Sequence, residues 1–274
     1  ESPLMFFARF TEKYPKVIFA TAIITAIIFG IGAQRIQVEN RFIDYFKSDS
    51  PIYEGMSIID QRLGGTTPLE VVLEGEGKDF WLTQENLDKI RDVHIWLDEQ
   101  PEIGKTISPY TMTEMLRKVN KGDTVPIPIV KFALDKLPPD IEKAVVGPYI
   151  SPDRDQIRIS MRVAESDTSL NRKDLIARIE NYFETNEIFA DGTITPHVTG
   201  MFVLYNNLLQ SLFASQIQTI GTVFFLIWVM FLLLFRSIKI ATIAIIPNIL
   251  PVILVLGILG WSNIPLDLMT IMTA

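Results

Sequence analysis

The sequence predicts an α-helical membrane protein with an α+β extracytoplasmic domain inserted between its first and second transmembrane helices. Three runs without charged residues, 17–33, 217–235 and 240–261, are each long enough to cross a hydrocarbon core about 30 Å thick as a helix. Between the first two runs, residues 34–213 hold nearly all the acidic side chains and alternate between strand-like and helix-like patterns. We therefore expect a folded domain outside the bilayer.

Composition excludes several classes of function. The chain has 32 Asp and Glu residues against 25 Lys and Arg residues, and a domain with an acidic excess lacks the basic face that nucleic-acid binding requires. It contains no cysteine, which excludes disulfides, a thiolate nucleophile and a cysteine-based metal site. No nucleic-acid partner is expected.

The first elements lie at the membrane. Within residues 1–16, Leu4, Phe7 and Phe10 form an apolar stripe that suits a cytoplasmic amphipathic helix on the bilayer surface, and a frayed lead-in stays an alternative. The run 17–33 is too long for the core of a signal peptide and lacks a good cleavage site, so we interpret it as a retained first span. Its small residues, including Gly32, would let a neighbouring helix approach closely.

Topology follows from the charges that flank the spans, since cytoplasmic loops carry an excess of Lys and Arg. The loop 261–265 has no basic residue, which predicts an outer location for this loop and for the domain 34–213. The turn 236–239 and the N-terminus are expected in the cytoplasm. The basic residues that predict this orientation are Arg9, Lys13, Lys16, Arg236 and Lys239.

The domain itself has a readable order of elements. A capping-box pattern, Thr111-Met112-Thr113-Glu114, is expected to open one helix, and the proline-rich residues 122–152 are expected to form short helical pieces. The order β-α-β, an insertion, then β-α-β predicts a ferredoxin-like split sheet with helices on one face. Strands are predicted at 68–73, 103–108, 155–163 and 193–200, and helices at 51–63, 83–99, 111–119, 172–187 and 201–216.

Two prolines and one acid stand out near the end of the chain. Pro247 and Pro251 are four residues apart in the third span, where each would kink the helix, as a hinge or as fixed architecture. A fourth span is expected to start within 266–274, so we expect this chain to be the first part of a longer protein. Asp267 lies at its start, either as a helix cap or as an ion-binding residue.

Several short segments resemble one transporter family when their order and spacing are taken together. They are Arg41-Phe42-Ile43-Asp44-Tyr45-Phe46 with Ser50-Pro51, Thr199-Gly200 with Leu204, Leu208 and Ser215-Gln216, Phe235-Arg236-Ser237, Pro247 and Pro251, and Ile264-Pro265-Leu266-Asp267. With the span–domain–hairpin order, the chain resembles the N-terminal part of a resistance-nodulation-division (RND) transporter. The likeness is to the MMPL-type and hopanoid-exporter-like branch, including its sterol-sensing-like transmembrane region.

The resemblance implies proton-driven export of a lipid or other hydrophobic compound from the inner (plasma) membrane by a multi-pass protein. It implies an RND porter-type domain, no enzymatic activity and no cofactor. Its partners would be membrane lipids or a hydrophobic small molecule and the remainder of the same transporter, and a homo-oligomer or a periplasmic partner stays open. The alternatives are a SecD/SecF-like protein-translocation accessory and a non-transporting sterol or lipid sensor.

The candidate site residues form a substrate path rather than a catalytic centre. Aromatic side chains where the chain leaves the first span could contact a lipid tail, although an interfacial aromatic belt is the alternative. His94 and His197 lack an evident third ligand, so no metal site is expected, and no catalytic spacing is found. The substrate-path candidates are Phe42, Tyr45, Phe46, Phe202, Leu208 and Phe213.

Overall fold

A computed structural model describes residues 13–36, 42–121, 123, 125–167, 170–264 and 266. The chain forms two compact units, Arg41–Asn207 and a second made of Glu1–Asn40 with Leu208–Ala274. Most of the predicted lead-in 1–16 lies outside the described residues. So does the predicted start of the fourth span at 266–274, including Asp267, with the exception of Leu266.

Most predicted elements are confirmed. Short helical turns also occur at Phe42–Tyr45, Glu142–Val146 and Glu187–Phe189. The strands are β1 Thr67–Gly75, β2 Ile103–Ile107, β3 Gln156–Val163 and β4 Ile194–Thr199. The helices are α1 Pro15–Ala33, α2 Pro51–Leu63, α3 Gln84–Asp98, α4 Pro109–Val119, α5 Ile127–Asp135, α6 Pro139–Ile141, α7 Arg172–Thr185, α8 Met201–Phe235 and α9 Ile238–Trp261.

Three helices of the described chain, α1, α8 and α9, are long and apolar enough to cross a membrane. Helix α8 has 35 residues because the predicted helix 201–216 continues into the predicted second span without a break. At 1.5 Å per residue it is about 52 Å long, well beyond the hydrocarbon thickness. These lengths and compositions indicate a membrane protein.

The sheet of the unit Arg41–Asn207 has four strands in the order β2-β3-β1-β4. Strand β1 pairs antiparallel with both β3 and β4, and β2 pairs antiparallel with β3. It follows that β1 and β2 run parallel with β3 between them, and that β3 and β4 run parallel with β1 between them. Each strand–helix–strand unit is therefore split by a strand of the other unit.

One face of this sheet carries the hydrophobic core. Burial alternates along β1 and β3, as expected for strands with one covered face. Helices α3 and α7 cover that face, and Trp81 and Phe202 complete the same cluster. The core side chains of the strands and these two helices include Leu69, Val71, Leu73, Ile90, Val93, Leu97, Ile157, Ile159, Met161, Leu175, Ile179 and Phe183.

Helix α2 starts and stops where its sequence predicts. Ser50 caps its N-terminus, since the hydroxyl oxygen accepts a hydrogen bond from the Tyr53 amide at 3.2 Å. Gly64 ends it in the left-handed region at φ 80°. A side chain at Gly64 would also collide with the backbone of Gly104, so this position requires glycine for two reasons.

The predicted cap of α4 is wrong by three residues. The helix begins at Pro109, with Ser108 and not Thr111 as its cap. Ser108 Oγ accepts from the Tyr110 amide at 3.2 Å, and Thr111 Oγ1 accepts from the Ser108 amide at 3.2 Å. Thr111 thus occupies the N3 position of a capping box whose N-cap is Ser108. Pro109 supplies the fixed φ that suits the first turn of a helix.

Candidate functional site

The unit made of Glu1–Asn40 with Leu208–Ala274, called the membrane unit below, contains a close contact between α1 and α9. The two helices meet where Gly32 faces Gly257 and Gly260, and an added Cβ at any of these three positions would clash with the opposite helix. Trp261 Nε1 donates a hydrogen bond to the Ile28 carbonyl at 3.0 Å, and the Arg35 guanidinium lies 4.5 Å from the Trp261 ring centroid. The expectation that Gly32 admits a close neighbour is confirmed.

Away from this contact the same two helices separate and enclose an apolar groove of about 710 Å³. Pro247 lies in its wall, and this proline has no backbone N–H to donate within the helix. The groove is open to the surroundings of the helices, because Phe19 and Ile243 on its walls are about two-thirds exposed. Other lining residues are Ile18, Ala22 and Ala26 on α1 and Ile246 and Leu250 on α9.

A second, smaller cleft of about 340 Å³ separates α8 from α9. Its walls include Val223 and Phe224 from α8 and Pro251 from α9. Nearer the turn that joins the two helices, Trp228 Nε1 donates to Thr242 Oγ1 at 3.2 Å. The two hinge candidates therefore line different clefts, Pro247 towards α1 and Pro251 towards α8.

The direction of the helices places several basic residues together. The N-terminal halves of α1 and α9 line the groove together, and their C-terminal ends meet at the glycine contact. The two helices therefore run parallel. Helix α8 reaches the start of α9 through Arg236 and Ser237 alone. The exposed basic residues at this shared end are Lys13, Lys16, Arg236 and Lys239.

One substrate-path candidate, Phe202, lies in the protein core and not on a surface that a lipid could reach. Phe202 has no exposed surface. Its ring belongs to the core cluster of the sheet unit, and the Arg172 guanidinium lies 5.3 Å from the ring centroid. The expectation that Phe202 offers apolar surface to a lipid is therefore wrong, because the first turn of α8 belongs to the domain core.

The other path candidates are divided between the two units. Tyr45 and Phe46 are half-buried in the sheet unit, next to the buried Ile43, and the Phe42 side chain lies outside the described residues. In the membrane unit, Phe213 packs against the buried pair Leu209 and Leu266. Leu208 is exposed in that unit.

Sequence reasoning missed a buried ion pair in the sheet unit. Glu165 is fully buried, and it accepts hydrogen bonds from Arg172 and, at 2.6 Å, from Thr67 Oγ1. In the same loop, Asp60 of α2 accepts from the Ser166 amide at 2.6 Å. These contacts join α2, β1, α7 and the loop between β3 and α7. Nothing in the local pattern marks them, since the partners are distant in sequence.

A second charged group holds the proline-rich segment. Asp79 accepts hydrogen bonds from Lys131 at 2.7 Å and Arg154 at 3.1 Å, and Arg154 also reaches Asp135 at 2.6 Å. The hydrogen bond from Lys131 is the main reason that the pKa of Asp79 is lowered. Through Lys131 and Asp135, helix α5 is thus attached to the segment before α3 and to the segment before β3.

His94 and Ser108 form a contact between an imidazole and a hydroxyl group, the two groups of many catalytic sites. His94 Nδ1 lies 2.8 Å from Ser108 Oγ, but Ser108 is fully buried and caps α4. Burial lowers the pKa of His94, and the nearby Asp98 carboxylate opposes that effect. The pair is structural. Among the residues that the structure describes, no three His, Asp or Glu side chains form a metal-binding group.

Comparison with known proteins adds no relative on which to draw. No family model matches the chain. No curated protein matches it either.

Proposed function

We propose that this chain is the N-terminal part of a proton-driven RND exporter that moves a lipid or other hydrophobic compound out of the inner membrane. The observation that carries the proposal is the order of the parts. One apolar helix, α1, precedes a four-stranded antiparallel sheet unit, and two apolar helices joined by a two-residue basic turn follow it. This order agrees with the resemblance of the sequence segments to that family.

The topology of the sheet is the second support. Two strand–helix–strand units, each split by a strand of the other, with both helices on one face, are what a ferredoxin-like porter-type domain requires. The order β2-β3-β1-β4 and the shared core of α3 and α7 fit this requirement. The insertion between β2 and β3, which holds α4 to α6, is then an addition to the basic domain.

The distribution of charge supports an orientation. Lys16 adjoins the groove end of α1, and Lys239 lies one turn before the groove end of α9. Basic residues at one end of parallel spans favour the cytoplasmic side for that end. Since a single span separates this end from residue 34, the sheet unit is expected outside the cytoplasm.

The acidic domain and the apolar path favour a neutral or weakly polar cargo. A domain with net negative charge repels anions through its summed field. An apolar tail needs no charged contact, since burial of each methylene contributes about 0.8 kcal/mol. With Phe202 assigned to the core, the path residues that remain are Phe42, Tyr45, Phe46, Leu208 and Phe213.

The proposal is tested by deleting the gene in its native cell and comparing lipids of the inner and outer membrane fractions by mass spectrometry. We expect at least one hydrophobic compound to accumulate in the inner fraction, and a plasmid copy of the gene should restore its distribution. A protonophore added to wild-type cells should reproduce the accumulation.

The same strain separates the alternatives. Accumulation of unprocessed secretory precursors with an unchanged lipid distribution would favour the SecD/SecF-like function. A changed amount of lipid synthesis with an unchanged ratio between the two membranes would favour a sensor. Either result would contradict export.

A further inference from the structure

We propose that the groove between α1 and α9 binds one acyl chain of an anionic phospholipid, with Lys16 and Lys239 holding its phosphate. The lipid belongs to the leaflet at the basic end of these helices. The inference needs α1 and α9 to cross a membrane, and it does not depend on export.

The length of the groove matches one leaflet. On α1 the wall runs from Pro15 to Ala26, which is about 16 Å at 1.5 Å per residue. That is about half of a hydrocarbon core roughly 30 Å thick. At its inner end, where α1 and α9 approach the contact of Gly32 with Gly257 and Gly260, the groove is closed. A chain that enters at the basic end would therefore stop near the middle of the bilayer.

The walls suit a flexible hydrocarbon. Every lining side chain is apolar, and the volume of about 710 Å³ lies within the roughly 300–1,000 Å³ of small-molecule sites. Ala22 and Ala26 are small, and Pro247 interrupts the backbone hydrogen bonds of α9 at this depth. A neighbouring transmembrane helix is a poorer match, because it would cross the whole core while this groove covers only half of it.

Two lysines at the open end of the groove favour an anionic head group. Lys16 directly follows Pro15 of the wall, and Lys239 precedes Ile243 of the wall by one helical turn. Both side chains belong to exposed residues, so each ammonium can reach the interface. An anionic phosphate between two lysines gains electrostatic attraction, and a zwitterionic head group with its own cation gains less.

The test uses the purified, delipidated full chain in detergent, mixed with equal amounts of phosphatidylglycerol and phosphatidylcholine. Native mass spectrometry counts the bound lipids of each kind. We expect phosphatidylglycerol to be preferred, and the preference should fall about fivefold for each lysine removed in K16Q and K239Q, the factor that one surface cation contributes. The charge-conserving K16R and K239R variants should keep the preference.

A second pair of variants tests the groove itself. A22F fills the groove and should lose one bound lipid, while A20F adds the same ring to an exposed position of α1 that does not line the groove. Equal lipid counts in A22F and A20F would overturn the site. An unchanged head-group preference in K16Q/K239Q would overturn the anionic assignment. Absence of tightly bound lipid from the wild type would indicate that another helix or a second copy fills the groove.

Discussion

At the scale of single residues, the sheet unit depends on polar groups that are buried in pairs. Glu165 and Arg172 are nearly inaccessible to water, and Thr67 and the ring of Phe202 lie beside them. A buried ion pair adds little net stability as a pair, but loss of one partner leaves the other charge without compensation. The ion pair between Arg178 of α7 and Glu102 offers an exposed comparison for the buried pair, since the Arg178 side chain is 40% exposed.

We therefore expect R172M to lower the free energy of unfolding by about 3–5 kcal/mol, because the buried Glu165 carboxylate loses the guanidinium that it contacts. The exposed control R178M should cost no more than about 1 kcal/mol. Hydrogen exchange of the β1 amides in the full chain reports both values. The double variant E165Q/R172M should recover part of the loss, and failure to recover would show that Arg172 acts through packing alone.

His94 predicts a dependence on pH. Burial lowers its pKa in the folded protein, so the unfolded chain, with a pKa near 6.5, takes up the proton first. The stability that neutral His94 contributes is complete above about pH 6.5. It is lost as the pH falls from there through the lowered pKa of the folded state.

The measurement is the unfolding of the wild type and of H94Q at pH 7.5 and at pH 5.5. Wild type should lose more stability than H94Q over this interval, because glutamine takes up no proton. Equal losses in the two proteins would assign the acid sensitivity to the carboxylates.

These residue-scale contacts could not be predicted from the sequence. Glu165 and Thr67 are 98 positions apart, and only the pairing of β1 with β3 brings them together. Phe202 is among the substrate-path candidates of the sequence analysis because it lies on the helix that leads into the second span. Apolar sequence alone does not distinguish a side chain that faces lipid from one that faces a protein core.

At the scale of elements, local patterns predicted nearly every helix and strand. Alternation in β3 and the apolar face of α3 come directly from the periods of strand and helix, and both are confirmed. The start of α4 was missed because two capping patterns overlap, Ser108 with Thr111 and Thr111 with Glu114. The structure uses the first, since Pro109 favours a helix that begins at that position.

The α1–α9 contact gives a prediction at this scale. G260V places a side chain against the backbone of Gly32, so the helices must separate and the pair should be destabilised by about 1–3 kcal/mol. The control is G221V in α8, where an added Cβ meets nothing within 4 Å. Thermal unfolding in detergent should distinguish them. Equal transition temperatures would mean that the glycine contact adds no stability.

Pro247 and Pro251 can be tested as a pair. The variant P247L/P251L restores two backbone donors and favours a straight α9 by about 3 kcal/mol for each proline. If the kink moves during transport, lipid distribution in cells that carry the variant should approach that of the deletion strain at normal expression. Wild-type distribution with the variant would leave only an architectural role for these prolines.

At the scale of the whole molecule, the order of the parts was predictable and the arrangement of the spans was not. Apolar runs revealed three helices because a bilayer core demands about 20 uncharged residues. Hydropathy could not show that α1 meets α9 along its length, or that a groove opens between them. That information lies in small side chains and in backbone geometry, to which hydropathy is insensitive.

Orientation provides the prediction at this scale. The chain has no cysteine, so single cysteines can be introduced at Lys78 in the sheet unit and at Lys239 in the first turn of α9. An impermeant thiol reagent added to intact cells, with the outer membrane made permeable, should label K78C and spare K239C. Disruption of the inner membrane should then expose K239C. Labelling of both from the same side would contradict the orientation.

Helix α8 has a mechanical consequence. Its first turn is anchored by Phe202 in the core of the sheet unit, and the same unbroken helix continues to Phe235. Because α8 contains no proline, its residues after the first turn keep the backbone N–H groups that an unbroken helix requires. Gly221, the one glycine of this helix, has no side chain to restrict its backbone, so we expect bending of the apolar part of α8 to cost least at this residue.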